Sequence, residues 1–155
     1  MPTHYRGTPS ERRALNAYIA LSRSSTTVSR DLSASIRETG LSESQFGALE
    51  ALLHLGPLAP CDLGEKLLTS RPNITAVVDE LERRGLVRRE RSQEDRRSLT
   101  VHLTPAGERL ISSHMPRHVA AVTRRLSALT QREQDQLGRL CKKLGKAGEK
   151  RADES

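Results

Sequence analysis

Arginine side chains crowd into one short stretch of the chain, between positions 83 and 97. The stretch holds seven arginines against three acids, a local balance of +4 in fifteen residues. A guanidinium group carries a planar fork of donors that matches phosphate oxygens and base edges. The stretch is therefore a candidate polyanion-binding surface, and the alternative is a solvated charged hairpin. The arginines are Arg83, Arg84, Arg88, Arg89, Arg91, Arg96 and Arg97.

The whole chain shares this basic character. Its 155 residues, a length typical of one domain, carry 26 Lys and Arg against 19 Asp and Glu, and 21 of the 26 basic residues are arginines. The net charge of +7 favours nucleic acid as a partner, although many basic proteins bind none. With one Phe, two Tyr and no Trp, any core must be aliphatic.

Two cysteines and two histidines are the other candidates for chemistry. Cys61 and Cys141 are too far apart for a metal motif or a disulfide framework. Cys61 falls near the start of a predicted short helix, where thiols are often reactive, so a redox switch is an alternative to an inert thiol. His114 and His118 are four apart on a predicted helix, but two ligands do not make a metal site, and they are interpreted as polar positions beside Pro116.

Enzyme, cofactor and membrane classes find no support in the sequence. There is no glycine-rich phosphate loop, and no spacing assembles Ser, His and Asp into a catalytic group. No apolar run approaches the length of a membrane span, and the first residues lack the apolar core of a signal peptide. We expect no catalysis, no cofactor, no metal and a cytoplasmic location.

Helix signals surround the arginine-rich stretch. Ser42 and Gln45 have capping-box spacing and open a helix that ends at Gly56. Pro60 and Asp62 mark the first turn of a second, short helix. Ser70 is the expected N-cap of a third helix, which Gly85 closes. Its buried face is predicted from the i, i+3, i+4, i+7 spacing of Ile74, Val77, Val78 and Leu81.

A hairpin and three long helices complete the predicted order. Residues 86–91 and 99–103 read as two strands, with Leu99, Val101 and Leu103 on the core side. Thr104-Pro105 opens a helix to about residue 128, kinked at Pro116. A first helix spans 10–38, and a capping box at Thr130 opens a last one whose apolar stripe places Cys141 in a core.

The predicted fold is mainly α with a small β-hairpin: a winged helix-turn-helix with long flanking dimerisation helices in a single domain, 1–155. Residues 41–103 form the winged-helix DNA-binding lobe, and residues 10–38 and 104–145 form the dimerisation helices. The flanking helices have too little chain of their own to cover their apolar faces, so we expect a homodimer.

The residues around the predicted hairpin carry a family resemblance. The quoted segments are Ser70-Arg71-Pro72-Asn73-Ile74-Thr75, residues 78–87, Asp95-Arg96-Arg97-Ser98 and Leu103-Thr104-Pro105-Ala106-Gly107. Over about residues 40–107 the chain resembles the MarR family of winged-helix bacterial transcription regulators. One departure is Ser92-Gln93, where many members have Asp-Pro at the opening of the wing turn.

The resemblance implies a homodimer that binds palindromic double-stranded DNA. It also implies a ligand-responsive repressor, whose small phenolic or lipophilic effector, or an oxidant, changes the spacing of the two lobes. The effector pocket would lie between the dimerisation helices and the lobe, with Tyr18 as the one aromatic candidate to line it. The alternatives are a winged-helix protein-interaction module and a redox-sensing regulator that uses Cys61.

The expected DNA contacts come from the third helix of the lobe and from the wing. In the wing, Asp95 is expected to hold one of Arg96 and Arg97 while the other enters the minor groove, and the family pattern favours Arg96 as the inserted one; the alternative is a turn-forming Asp95. The full set is Ser70, Arg71, Pro72, Asn73, Thr75, Ala76, Arg88, Arg91, Asp95, Arg96 and Arg97.

Overall fold

Six helices and a two-stranded hairpin follow one another in the predicted order. The computed structural model describes residues 4–67, 69–91 and 98–152. It places two compact units within Met1–Val119 and Ala120–Ser155. The elements are α1 (Pro9–Arg37), α2 (Glu43–Leu55), α3 (Pro60–Lys66), α4 (Arg71–Arg83), β1 (Val87–Arg91), β2 (Leu99–Leu103), α5 (Pro105–Leu126) and α6 (Gln131–Ala152). The predicted fold class, mainly α with a small hairpin in a winged-helix arrangement, is confirmed.

Helix α1 is continuous through its serine- and threonine-rich middle. Hydroxyl groups there bond back to carbonyls one turn earlier, as Ser24 does to Ala20 at 2.7 Å, so they need no partner from outside the helix. The helix begins with a capping box between Thr8 and Glu11. Its one buried residue is Ile36, at the end that meets α2.

The core of the lobe forms where α2, α3 and α4 pack against one another and against the hairpin. Ser42 and Gln45 make the predicted capping box, and Gly56 ends α2 with a φ of 77°. The predicted face of α4 is buried, as are residues from α2, α3, the hairpin and α5. The largest of these buried side chains are Phe46, Leu49, Leu63, Ile74, Leu81 and Ile111.

The hairpin is antiparallel and is buried only at its base. Val87 pairs with Leu103 and Arg91 with Leu99, while Leu58 adds a bridge to Val101 on the other side of β2. Val101 is fully buried, but Leu99 is 41% exposed. The expectation that Leu99 packs on the core is therefore wrong. It lies two residues, about 7 Å, farther out along the strand than Val101, beyond the helices that cover the base.

The start of α5 is fixed against the turn between α4 and β1. The Thr104 hydroxyl donates to the carbonyl of Gly85 at 2.6 Å and accepts from the backbone N–H of Gly107. Gly107 is buried directly against the Leu86 backbone, and a Cβ on Gly107 would overlap the Leu86 carbonyl oxygen. This contact explains why the Leu-Thr-Pro-Ala-Gly segment needs its threonine and its glycine.

Helix α6 begins at the predicted capping box, in which Glu133 accepts from the Thr130 backbone N–H at 2.7 Å. Leucines of its apolar stripe are exposed: Leu140 is 57% exposed and Leu144 61%. Cys141 is exposed as well, so its assignment to a core is wrong for the single chain. A 3.6-residue pattern identifies the apolar side of a helix, but it does not supply the atoms that would cover it.

The described helices include none that is both long enough and apolar enough to cross a membrane.

We expect Gly107→Ala to lower the free energy of unfolding by about 2–4 kcal/mol, because the added methyl group must push α5 away from the Leu86 backbone. Gly138→Ala is the matched control, since a Cβ there meets nothing within 4 Å. It should leave stability unchanged or raise it by about 0.5–1 kcal/mol. Urea unfolding measures both, and a Gly107→Ala variant as stable as wild type would contradict the close contact.

Candidate nucleic-acid interface

The first two turns of α4 present an exposed, mostly polar surface. The helix turns Ile74, Val77 and Val78 into the core, which leaves the other side chains of these turns outside. Ser70 occupies the predicted N-cap position but makes no side-chain capping bond. All six residues predicted to read DNA from this helix are exposed, namely Ser70, Arg71, Pro72, Asn73, Thr75 and Ala76.

Hydrogen bonds within this surface order some of its side chains and leave others available. The Asn73 amide donates to the Thr69 hydroxyl, and the Thr75 hydroxyl donates to the carbonyl of Arg71 at 3.0 Å. Within residues 4–67, 69–91 and 98–145, no side chain pairs with the Arg71 guanidinium. This cation projects from the end of the helix that reads base edges in helix-turn-helix proteins.

A surface pocket of about 290 Å³ lies between the starts of α3 and α4. Its lining residues are Pro60, Cys61, Arg71, Ile74 and Thr75. The Cys61 thiol is exposed, and its Sγ lies 3.8 Å from an Asp62 carboxylate oxygen. The cysteine considered for redox sensing is thus part of the same surface as Arg71.

Arg89 attaches the hairpin to α4. Its guanidinium donates to the carboxylates of Asp79 and Glu82, and its backbone N–H donates to Glu82 at 3.0 Å. Burial lowers the pKa of Arg89, but the hydrogen bonds that Arg89 donates to both carboxylates outweigh this effect, so that the pKa lies above its usual value. Only 22% of the Arg89 side chain is exposed. Arg89 therefore positions the wing and is not available to a ligand.

Arg88, a predicted DNA contact, points to the other face of the hairpin, where it is exposed but already engaged. Its Nε donates to Glu90 at 2.5 Å and its Nη1 to the carbonyl of Leu103 at 3.0 Å. The hydrogen bond from Arg88 lowers the pKa of Glu90, which keeps that carboxylate charged. Arg91 is exposed at the end of β1. The remaining wing residues, Asp95, Arg96 and Arg97, lie outside the described residues.

The charge of the arginine-rich stretch is smaller than its own residues indicate. Arg83 pairs with Glu80, and Arg84 donates to the carbonyl of Gly40 at 2.9 Å. The carboxylates of Asp79, Glu80 and Glu82 precede the stretch in sequence, but two of these acids bind its Arg89 and the third binds its Arg83. With these three acids included, residues 79–97 hold seven arginines against six acids. The balance of +4 drops to +1.

The histidines of α5 do not come together around a shared ligand site. His118 lies 3.3 Å from the Ser35 hydroxyl, with its ring centroid 4.8 Å from that of Phe46, whereas the Nδ1–H of His114 donates to the Leu110 carbonyl at 2.9 Å. No group of three or more potential metal ligands occurs among the described residues. Tyr18, the candidate for the effector pocket, is 66% exposed on α1.

Sequence reasoning missed the contacts that join α1 to the later helices. Ser35 meets His118, Glu38 pairs with Arg117, and Gly40, in the corner after α1, accepts from Arg84. Each contact links residues at least 44 positions apart. No local spacing signals such pairs, because each partner has an ordinary surface residue type.

We expect Arg89→Ala to lower the free energy of unfolding by about 1–2 kcal/mol, because it leaves two carboxylates on α4 without their shared cation. Arg83→Ala is the matched control: it also removes one cation, but one whose side chain is 72% exposed, and it should leave stability unchanged within error. Urea unfolding at neutral pH compares the two. Equal losses would show that Arg89 contributes no more than an ordinary surface ion pair.

Comparison with known proteins places the chain in a family. The model of the MarR family matches residues 39–98. The chain is 37% identical over 133 residues to the HTH-type transcriptional regulator YkoM of Bacillus subtilis, with 86% of each chain covered. It is 31% identical over 133 residues to the HTH-type transcriptional regulator MhqR of the same organism, covering 86% of this chain and 92% of that one.

A solved structure agrees with the sequence relatives. NadR in complex with 4-hydroxyphenylacetate superposes with a TM-score of 0.76 at 22% identity and covers 94% of this chain and 99% of that one. At this identity the likeness shows the fold. The two sequence relatives are transcription regulators and not enzymes. This chain therefore belongs to the MarR family of DNA-binding transcription regulators.

Proposed function

We propose that this chain acts as a homodimer that binds a palindromic operator and represses transcription until a small phenolic or lipophilic molecule releases it. The observation that carries the proposal is the exposed start of α4, where the Arg71 guanidinium stands without a partner among the described side chains. The lobe of residues 41–103 presents this surface. The alternative of a protein-interaction module has no feature in its favour comparable to this one.

Base reading falls to the first two turns of α4 in this proposal. Arg71 is suited to bind O6 and N7 of a guanine bidentately, and Asn73 and Thr75 are suited to base edges or phosphates nearby. Arg88 and Arg91 would face the sugar-phosphate backbone of the DNA. Arg88 would release Glu90 and bind a phosphate instead. Asp95, Arg96 and Arg97 would form the wing tip, one arginine held by Asp95 and the other in the minor groove.

Dimerisation would use the helices outside the lobe, residues 10–38 and 104–145. On α6 the exposed leucines form a stripe, and on α1 Tyr18 and Leu21 are exposed. A second copy of the chain would remove this apolar surface from water. The two lobes of the dimer would bind half-sites one helical turn apart, about 34 Å. A dimer bound in this way would block the access of RNA polymerase to the DNA, and we therefore propose repression.

The effector class is proposed by analogy. NadR was solved with 4-hydroxyphenylacetate, a phenolic acid. An analogous ligand would act by binding one arrangement of the two lobes better than the other.

We expect Arg71→Ala to weaken operator binding by about 1–3 kcal/mol and random-duplex binding by much less, because a guanine contact is lost only on the operator. Arg23→Ala, which removes the same charge from an exposed position on α1, is the control and should preserve the preference for the operator. Fluorescence anisotropy with both duplexes at several salt concentrations gives the affinities. Equal loss on both duplexes would make Arg71 a phosphate contact, and the absence of salt-dependent duplex binding would contradict the proposed function.

We expect light scattering at micromolar concentration to give twice the 17.2 kDa mass of the single chain. Leu140→Glu should shift the mass toward the monomer, because it places a charge in the proposed interface. Leu55→Glu is a closely matched control, since Leu55 is 56% exposed and Leu140 57%, but Leu55 lies in the lobe. A wild-type mass of one chain, or equal behaviour of the two variants, would rule out this interface.

A further inference from the structure

We infer that the pocket between α3 and α4 receives the 5-methyl group of a thymine, so that the operator carries a thymine beside the guanine read by Arg71. The inference rests on the proposed function and deepens it, because it names a second base that the same surface selects. It assigns specificity to Pro60 and Cys61, which lie on α3 and not on the recognition helix.

Most of the lining of the pocket is uncharged. α3 contributes the Pro60 ring and the Cys61 thiol, and α4 contributes Ile74, a core residue that is 2% exposed. The Thr75 hydroxyl donates its hydrogen to the carbonyl of Arg71, and the Thr75 side chain adds a methyl group to the lining. Among the described residues that line the pocket, Arg71 is the one with a charge, and none carries a carboxylate.

α3 and α4 pack closely beside the pocket. Gly64 of α3 is buried, and a Cβ at Gly64 would lie 3.3 Å from the Cγ2 of Ile74. The missing side chain therefore lets α3 approach Ile74, which lines the pocket together with Arg71.

Thymine is the base whose chemistry fits this lining. It is the only base that presents a methyl group in the major groove, and apolar side chains recognise that methyl by contact. A phosphate fits less well, because Pro60 has no N–H to donate and four of the five lining residues carry no charge. Arg71 at the rim would bind the neighbouring guanine, so that one pocket and one cation select adjacent bases.

The test uses the bound sequence itself. Operator duplexes are enriched from a random pool with the full chain, and each thymine is then replaced singly by deoxyuridine, which removes the methyl and leaves base pairing and phosphates intact. The guanine read by Arg71 is the one whose replacement weakens binding as much as Arg71→Ala does. We expect deoxyuridine in place of one thymine beside this guanine, in each half-site, to lower the affinity of the protein for the duplex about fourfold.

Two variants of the lobe locate the effect. Cys61→Ser keeps the size of the side chain but makes it polar, and it should reduce the preference for thymine over uracil at that position. Leu55→Ser, a polar change at an exposed residue of α2 outside the pocket, should preserve the preference. The quantity measured is the interaction free energy between the protein substitution and the thymine replacement, obtained as in a double-mutant cycle.

The outcomes separate this inference from the proposed function. If no thymine replacement changes affinity, or if the enriched site has no thymine beside that guanine, the pocket does not receive a methyl group. Arg71→Ala would still lose operator preference in that case, and the proposed function would stand. If phosphate ethylation at that position blocks binding while deoxyuridine does not, the pocket holds the sugar-phosphate backbone and the inference is overturned.

Discussion

The close contact between Gly107 and the Leu86 backbone is the constraint on which the arrangement of the lobe depends. A two-stranded ribbon is marginal by itself, so the hairpin needs its base fixed. Gly107 and Thr104 bring the start of α5 onto the turn between α4 and β1, and this contact therefore fixes the start of β1 and the end of β2. Val87 and Val101 can then complete the aliphatic core beneath them.

The arginines of this molecule have two different roles, which the amino-acid composition does not distinguish. Arg83, Arg84 and Arg89 are bound to groups of the protein, and they shape the lobe. Arg71 and Arg91 remain on the surface. A count of arginines in sequence therefore overstates the field that an approaching polyanion meets, because carboxylates on the preceding helix neutralise part of it.

Much of the fold was predictable because its signals are local. Capping boxes, the spacing of buried residues in α4 and the Thr104-Pro105 start of α5 lie within a few residues of the feature they specify. The Thr8–Glu11 box was equally readable but was missed. Leu99 and Cys141 were misassigned because the strand alternation and the helical period show which side of an element is apolar. They do not show whether other residues pack against that side. Arg89 and Glu38 could not be assigned, since their partners come from other elements.

The outward face of helix α4 has different roles in its first and second halves. The outward side chains of its first two turns are exposed. In its second half Glu80 binds Arg83, while Asp79 and Glu82 bind Arg89 and thereby hold the wing. Substitutions near residue 71 or 73 therefore leave the attachment of the wing intact. A lineage built on this scaffold can drift toward new binding sites one side chain at a time, with the frame that presents those side chains conserved.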